Sequence, residues 1–106
     1  MEIKSTLKEK KLILSLSGEI DLHHATKLRT VLLSEIKKKP GKLVLDFKEV
    51  SFIDSSGIAT LVEALKESKN YSLDFILCCL GERVKDVFEL SRLDKVFKIV
   101  QSSDEA

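Results

Sequence analysis

Val50-Ser51-Phe52-Ile53-Asp54-Ser55-Ser56-Gly57-Ile58 reads as an apolar strand that runs into an acid, two hydroxyls and a glycine before a helix begins. The junction puts the hydroxyls of Ser55 and Ser56 at a helix N-terminus, where unpaired backbone N–H groups and the helix dipole favour added negative charge. A serine in that position is chemically suited to accept a phosphate.

Downstream, Ile58, Leu61, Val62 and Leu65 recur at helical spacing and predict a buried stripe, which leaves Glu63, Lys66, Glu67 and Lys69 for water. Leu73 to Leu80 is a nearly continuous apolar run, as a strand inside a sheet requires, and Gly81 breaks it. Val84, Val87 and Phe88 predict a third helix with Leu93 covering its end. Val96 to Val100 then predicts a last strand before a polar tail, Gln101 to Ala106.

Upstream, Leu43-Val44-Leu45-Asp46-Phe47 predicts a strand, with a turn around Lys48-Glu49 before Phe52-Ile53. Ala25, Leu28, Leu32 and Ile36 predict a helix that follows Asp21 and stops before Pro40-Gly41. Glu2 to Leu7 and Lys11 to Ser17 alternate as an antiparallel strand pair, with Leu12, Leu14 and Leu16 on one face and Gly18 ending the second strand. The expected fold is therefore α/β in a single domain over residues 1–106: a mixed, mostly parallel sheet with an antiparallel N-terminal strand pair and three main helices. Functional loops of such sheets gather at the carboxyl ends of strands. Here these are Asp54 to Gly57, Glu19-Ile20-Asp21 and the Gly81 loop.

A chain of 106 residues suffices for one core. Its 43% apolar and 33% charged residues suit a globular protein. No uncharged run is long enough to span a bilayer, and Met1-Glu2-Ile3-Lys4 lacks the order of a secretory signal, so a cytoplasmic location away from membranes is expected. The net charge of +1 creates no field to attract nucleic acid or anionic lipid. Lys37-Lys38-Lys39-Pro40-Gly41-Lys42 is the solvated end of a helix followed by a turn, with lysines suited to the negative end of the dipole. Cys78 and Cys79 are neighbours in an expected strand, so their side chains should point to opposite faces as two separate structural thiols. No second cysteine pair or nearby histidine completes a zinc site.

The bland account of Asp54-Ser55-Ser56-Gly57 is capping, because Asp and Ser both accept hydrogen bonds from the first free N–H groups of a helix. One cap would suffice, which leaves a second hydroxyl to explain. Catalysis by either serine needs a base, and the only histidines, His23 and His24, are adjacent to each other and fall on the first turn of the first helix. Neither a Gly-x-Ser-x-Gly elbow nor a Gly-rich phosphate loop occurs. The residues thus offer no catalytic site, cofactor site or metal site.

The stretch Leu45 to Gly57 closely resembles the signature of the bacterial anti-sigma factor antagonists, small members of the sulfate transporter and anti-sigma antagonist (STAS) domain family. Leu16-Ser17-Gly18-Glu19-Ile20-Asp21 and Val84 to Leu93 extend the resemblance over nearly the whole chain. It implies a protein that is a substrate and a binding partner rather than an enzyme. In that family an anti-sigma factor with serine kinase activity phosphorylates the first hydroxyl after the acid, here Ser55 with Ser56 as the alternative, and a serine phosphatase reverses it. The unphosphorylated form binds the anti-sigma factor and frees a sigma factor; the phosphorylated form lets go.

Asp54 matches the family acid, either orienting the hydroxyl for the kinase or serving as a turn and cap residue. Asp21 matches a loop acid near the phosphorylation site, either touching the kinase or capping the first helix. Ser56, if not the acceptor, is a cap. Gly57 matches the signature glycine, giving the turn room or admitting the partner. The alternative functions implied by the same family are a subunit of a lipid or anion transport complex and a stressosome-type scaffold. The intact Ser55 favours the phosphorylated regulator, because a purely structural subunit has no need of a hydroxyl there.

Overall fold

The structure, a computed structural model, describes residues 1–106. Five strands form one sheet in the order β1-β2-β3-β4-β5, with β1 (Glu2–Lys8), β2 (Lys11–Ile20), β3 (Lys42–Ile53), β4 (Asp74–Cys78) and β5 (Lys98–Val100). β1 runs antiparallel to β2, and every other pair is parallel. The parallel strands are linked by α1 (Leu22–Lys37), α2 (Ser55–Asn70) and α3 (Glu82–Leu90). The expected α/β order is thus present, and no helix is long and apolar enough to cross a membrane.

Alternation sorts the strand side chains onto two faces. Leu12, Leu14 and Leu16 of β2, Leu43, Leu45 and Phe47 of β3, and Phe75 and Leu77 of β4 meet the buried stripes of all three helices. Those stripes are Leu28, Leu32 and Ile36, then Leu61, Ala64 and Leu65, then Val84 and Phe88. Each large side chain so buried contributes about 1.5–3 kcal/mol. Phe88 packs edge-on to Phe47 and Phe97, at centroid distances of 6.4 and 5.5 Å, which closes the core beneath α3.

The opposite face carries Ile13, Val44, Ile76 and Cys78, with Val100 and Ala106 packed against them. The segment expected as a polar tail is therefore ordered. Ser102 and Glu105 cap each other around a 3-10 turn at Ser103–Glu105, and Lys11 Nζ donates to the Ser103 carbonyl at 2.7 Å.

Several expected boundaries move. The turn expected at Lys48-Glu49 does not exist, because β3 is continuous from Lys42 to Ile53. Its partners step from Ser15↔Asp46 to Ser17↔Glu49, and from Gly18↔Val50 to Glu19↔Phe52, so β3 accommodates an extra residue twice. The exposed charges at Lys48 and Glu49 mark a bulge, whose backbone is held by the Lys48 N–H donating to Asp46 Oδ1 at 2.9 Å. Gly18 does not end β2 but lies within it at φ +95°, a conformation that favours glycine.

At the other edge, β4 stops at Cys78 and β5 begins only at Lys98, since Phe97 turns into the helix-side core. The two cysteines also depart from expectation. Cys79 lies beyond β4 at φ +62°, which brings its Sγ to 3.5 Å from Cys78 Sγ instead of sending it to the opposite face.

Candidate functional site

The carboxyl ends of β2 and β3 lie side by side, with Ile20 opposite Ile53. Each strand passes at once into an aspartate that caps a helix: Asp21 for α1 and Asp54 for α2. The Asp54 N–H donates to the Ile20 carbonyl at 3.1 Å, so the sheet ladder reaches the turn itself.

Asp54 does more than cap its own helix. Its Oδ1 accepts the Gly57 N–H at 3.0 Å, while its Oδ2 accepts the Leu22 N–H of α1 at 3.1 Å. One carboxylate thereby holds the first turns of both helices, each through an N–H that would otherwise lack a partner. Asp21 Oδ1 accepts the His23 N–H at 3.0 Å and lies 2.7 Å from His24 Nδ1. His24 Nδ1 has no partner at hydrogen-bonding angles, so that contact is mainly electrostatic. Desolvation pushes the Asp21 carboxyl up, but the electrostatic attraction of the close His24 ring and the bond from the His23 N–H outweigh it, and the group sits below its ordinary value.

Ser55 is the first residue of α2 and is exposed, whereas Ser56 is half-buried. The capping role open to Ser56 belongs to Asp54 instead; the Ser56 carbonyl accepts the Thr60 hydroxyl at 3.0 Å. Gly57 is buried. A Cβ there would lie 2.7 Å from the Ile20 carbonyl oxygen, 2.7 Å from Ile53 Cγ1 and 2.8 Å from Ile20 Cγ2. The space that a partner was expected to use is therefore occupied by this chain's own strands, and the missing side chain lets α2 dock on the β2–β3 edge.

Farther along the two helices, Arg29 Nε reaches both Glu63 carboxylate oxygens at 2.9 and 2.8 Å, and Nη2 lies 2.8 Å from Oε2. Hydrogen bonding to Arg29 holds the Glu63 carboxyl low, and Glu63 in turn raises the guanidinium. This fork links α1 to α2 on the solvent side, about two turns beyond the first turns that share Asp54.

Sequence patterning did not reveal the apolar rim of the site. Leu22 is 69% exposed and Phe52 is 48% exposed, although both are large and apolar. Leu22 falls three residues before Ala25 and looks like part of the buried stripe, yet the α1 stripe begins at Leu28. Phe52 reads as strand core, but the second bulge in β3 turns it outward while Ile53 stays buried. Leu22, whose N–H bonds Asp54, and Phe52, two residues before Asp54, thus leave exposed apolar side chains near the acids and Ser55.

A sheet of this order with a capped serine turn at the β3–α2 junction defines a STAS domain. Residues 2–106 match the STAS domain family, and the chain belongs to it. The anti-sigma-F factor antagonist RsfB of Mycobacterium tuberculosis is 31% identical over 94 residues, which span 89% of this chain and 76% of that protein. The anti-sigma-B factor antagonist of Listeria monocytogenes is 31% identical over 83 residues, or 78% of this chain and 73% of its own. The crystal structure of an anti-sigma factor antagonist from Mycobacterium paratuberculosis superposes with a TM-score of 0.90 at 24% identity, covering 98% of this chain and 88% of that one, and shows the same fold.

Proposed function

We propose that this chain is an anti-sigma factor antagonist whose binding is switched off by phosphorylation of Ser55. The observation that carries the reading is the exposure of the Ser55 hydroxyl on a turn whose backbone is fixed by Asp54 and bordered by Leu22 and Phe52. The chain acts as substrate and ligand in the cytoplasm, not as a catalyst. Its partners are an anti-sigma factor with serine kinase activity and a serine phosphatase, and no nucleic acid, membrane or cofactor takes part.

The switch follows from charge. A phosphate adds about −1.5 to −2 charges and three acceptor oxygens. The α2 N-terminus tolerates that charge, while Asp54 and Asp21 repel it, so the fold survives with the group pointing outward. A partner that seats an apolar surface on Leu22 and Phe52 would have to desolvate the phosphate beside two carboxylates. A cost of about 3 kcal/mol at that interface lowers affinity more than a hundredfold. No rearrangement of the sheet is required.

The reading is tested by incubating the chain with its cognate kinase and ATP and mapping the product by peptide mass spectrometry. One phosphate on Ser55 is expected, and Ser55→Ala should abolish it. Modification at Ser56 alone would overturn the site, and no modification of either would overturn the switch.

A further inference from the structure

Away from the Ser55 turn, Asp46, Cys78 and Cys79 converge, with their carboxylate and thiol atoms all within 4.8 Å of one another. Asp46 of β3 and Cys78 of β4 are register partners, so their side chains leave the sheet on the same face. Cys79 would point away in an extended strand. Its left-handed backbone turns it back, and the two sulfurs sit 3.5 Å apart. Cys78 is buried, while Asp46 and Cys79 are half-exposed, so the group opens to solvent on one side.

We propose that these three residues form a binding site for a thiophilic divalent cation of the zinc class. Two sulfurs and one carboxylate oxygen are a donor set that such a cation accepts. Around tetrahedral zinc, with Zn–S about 2.3 Å and Zn–O about 2.0–2.2 Å, neighbouring ligand atoms stand about 3.6–3.8 Å apart. The present spacing reaches that with small side-chain rotations. The Lys48 N–H on Asp46 Oδ1 holds the carboxylate and leaves Oδ2 for the metal, as the outer bonds of metal sites do. A water on the open side completes the fourth position.

Both thiols are protonated at rest: burial pushes Cys78 up to about 12, and desolvation raises Cys79 as well. Binding therefore forms two Zn–S bonds and one Zn–O bond while two thiol protons pass to solvent. The resulting site has a net charge of −1, and the Lys11 ammonium, whose charge reaches Cys78, opposes it. The cation would tie β3 to β4 on the sheet face opposite the helices, where Ala106 packs.

The test uses the full chain, reduced with a phosphine that does not bind metal. Zn2+ is titrated against a chromophoric chelator, and Co2+ is followed by absorption. One equivalent should bind, with a thiolate-to-cobalt charge-transfer band and the visible bands of a tetrahedral site. Cys79→Ser and Asp46→Asn, both at half-exposed positions, should keep the native circular dichroism and each weaken Zn2+ binding by more than about tenfold. Failure to saturate at one equivalent, absence of the thiolate band, or unchanged affinity in either of these folded variants would overturn the site.

Discussion

Gly57→Ala sets two effects of opposite sign against each other. In the first turn of α2 an alanine is favoured over glycine by up to about 1 kcal/mol through helix propensity alone. The added Cβ, however, would stand 2.7–2.8 Å from the Ile20 carbonyl oxygen, Ile53 Cγ1 and Ile20 Cγ2. None of these neighbours gives way cheaply. The carbonyl already accepts the Asp54 N–H, and both isoleucines are fully or nearly fully buried at the end of the sheet.

Relief requires α2 to back away from the β2–β3 edge, an overpacking cost of about 1–3 kcal/mol. With three contacts under 3.0 Å, one of them to backbone, the cost falls in the upper part of that range and the balance is a loss of about 1–2 kcal/mol, read as a lower urea midpoint at unchanged slope and, for a domain of this size, a melting point down by about 4–8 °C per kcal/mol. The same retreat pulls Asp54 from the Leu22 N–H, so partner binding should weaken as well. A Gly57→Ala chain as stable as its parent would refute the view that this glycine exists for internal docking.

Asp54→Ala removes the α2 cap and the bridge to α1 together and should cost about 1–2 kcal/mol in urea unfolding, while Asp54→Asn, which keeps a carbonyl acceptor, should lose less. Asp21 is depressed in the folded chain, so its contribution to stability is complete above the ordinary carboxylate pKa of about 3.9 and is lost as pH falls through the lower folded value; Asp21→Asn should flatten that part of an acid denaturation curve. Cys78 has the opposite sign. Its raised pKa stabilises the fold fully below the ordinary thiol value of about 8.5 and loses that contribution as pH rises toward 12, so native Cys78 should resist alkylation at pH 8 and react at once in denaturant, as peptide mass spectrometry would read.

The fold was legible where one periodicity ruled a segment. Leu16, set between Ser15 and Ser17, and Leu61 and Leu65, set among Glu63, Lys66 and Glu67, declare their faces because polar neighbours fall at the spacing that alternation or a helix requires. Lys48 and Glu49 misled because a bulge and a turn use the same exposed charges, and only the partner strand's register distinguishes them. Cys79 misled because nothing local announces a left-handed residue that is not glycine.

At the site, Ser55, Asp54 and Asp21 were visible as a strand-to-helix junction and a loop acid. The double duty of Asp54 was not. Its bond to Leu22 joins residues 32 apart in sequence, and it exists because β2 and β3 are parallel neighbours that end level with each other. The role of Gly57 was hidden for the same reason, since the atoms that exclude a side chain there belong partly to another strand.

The most direct test compares one protein in two states. Isothermal titration of the cognate anti-sigma factor with unmodified chain and with chain phosphorylated stoichiometrically at Ser55, in the absence of nucleotide, should give a dissociation constant at least about a hundredfold weaker for the phosphorylated form, with circular dichroism unchanged. Equal affinities in the two titrations, with the phosphate verified on Ser55, would contradict the account.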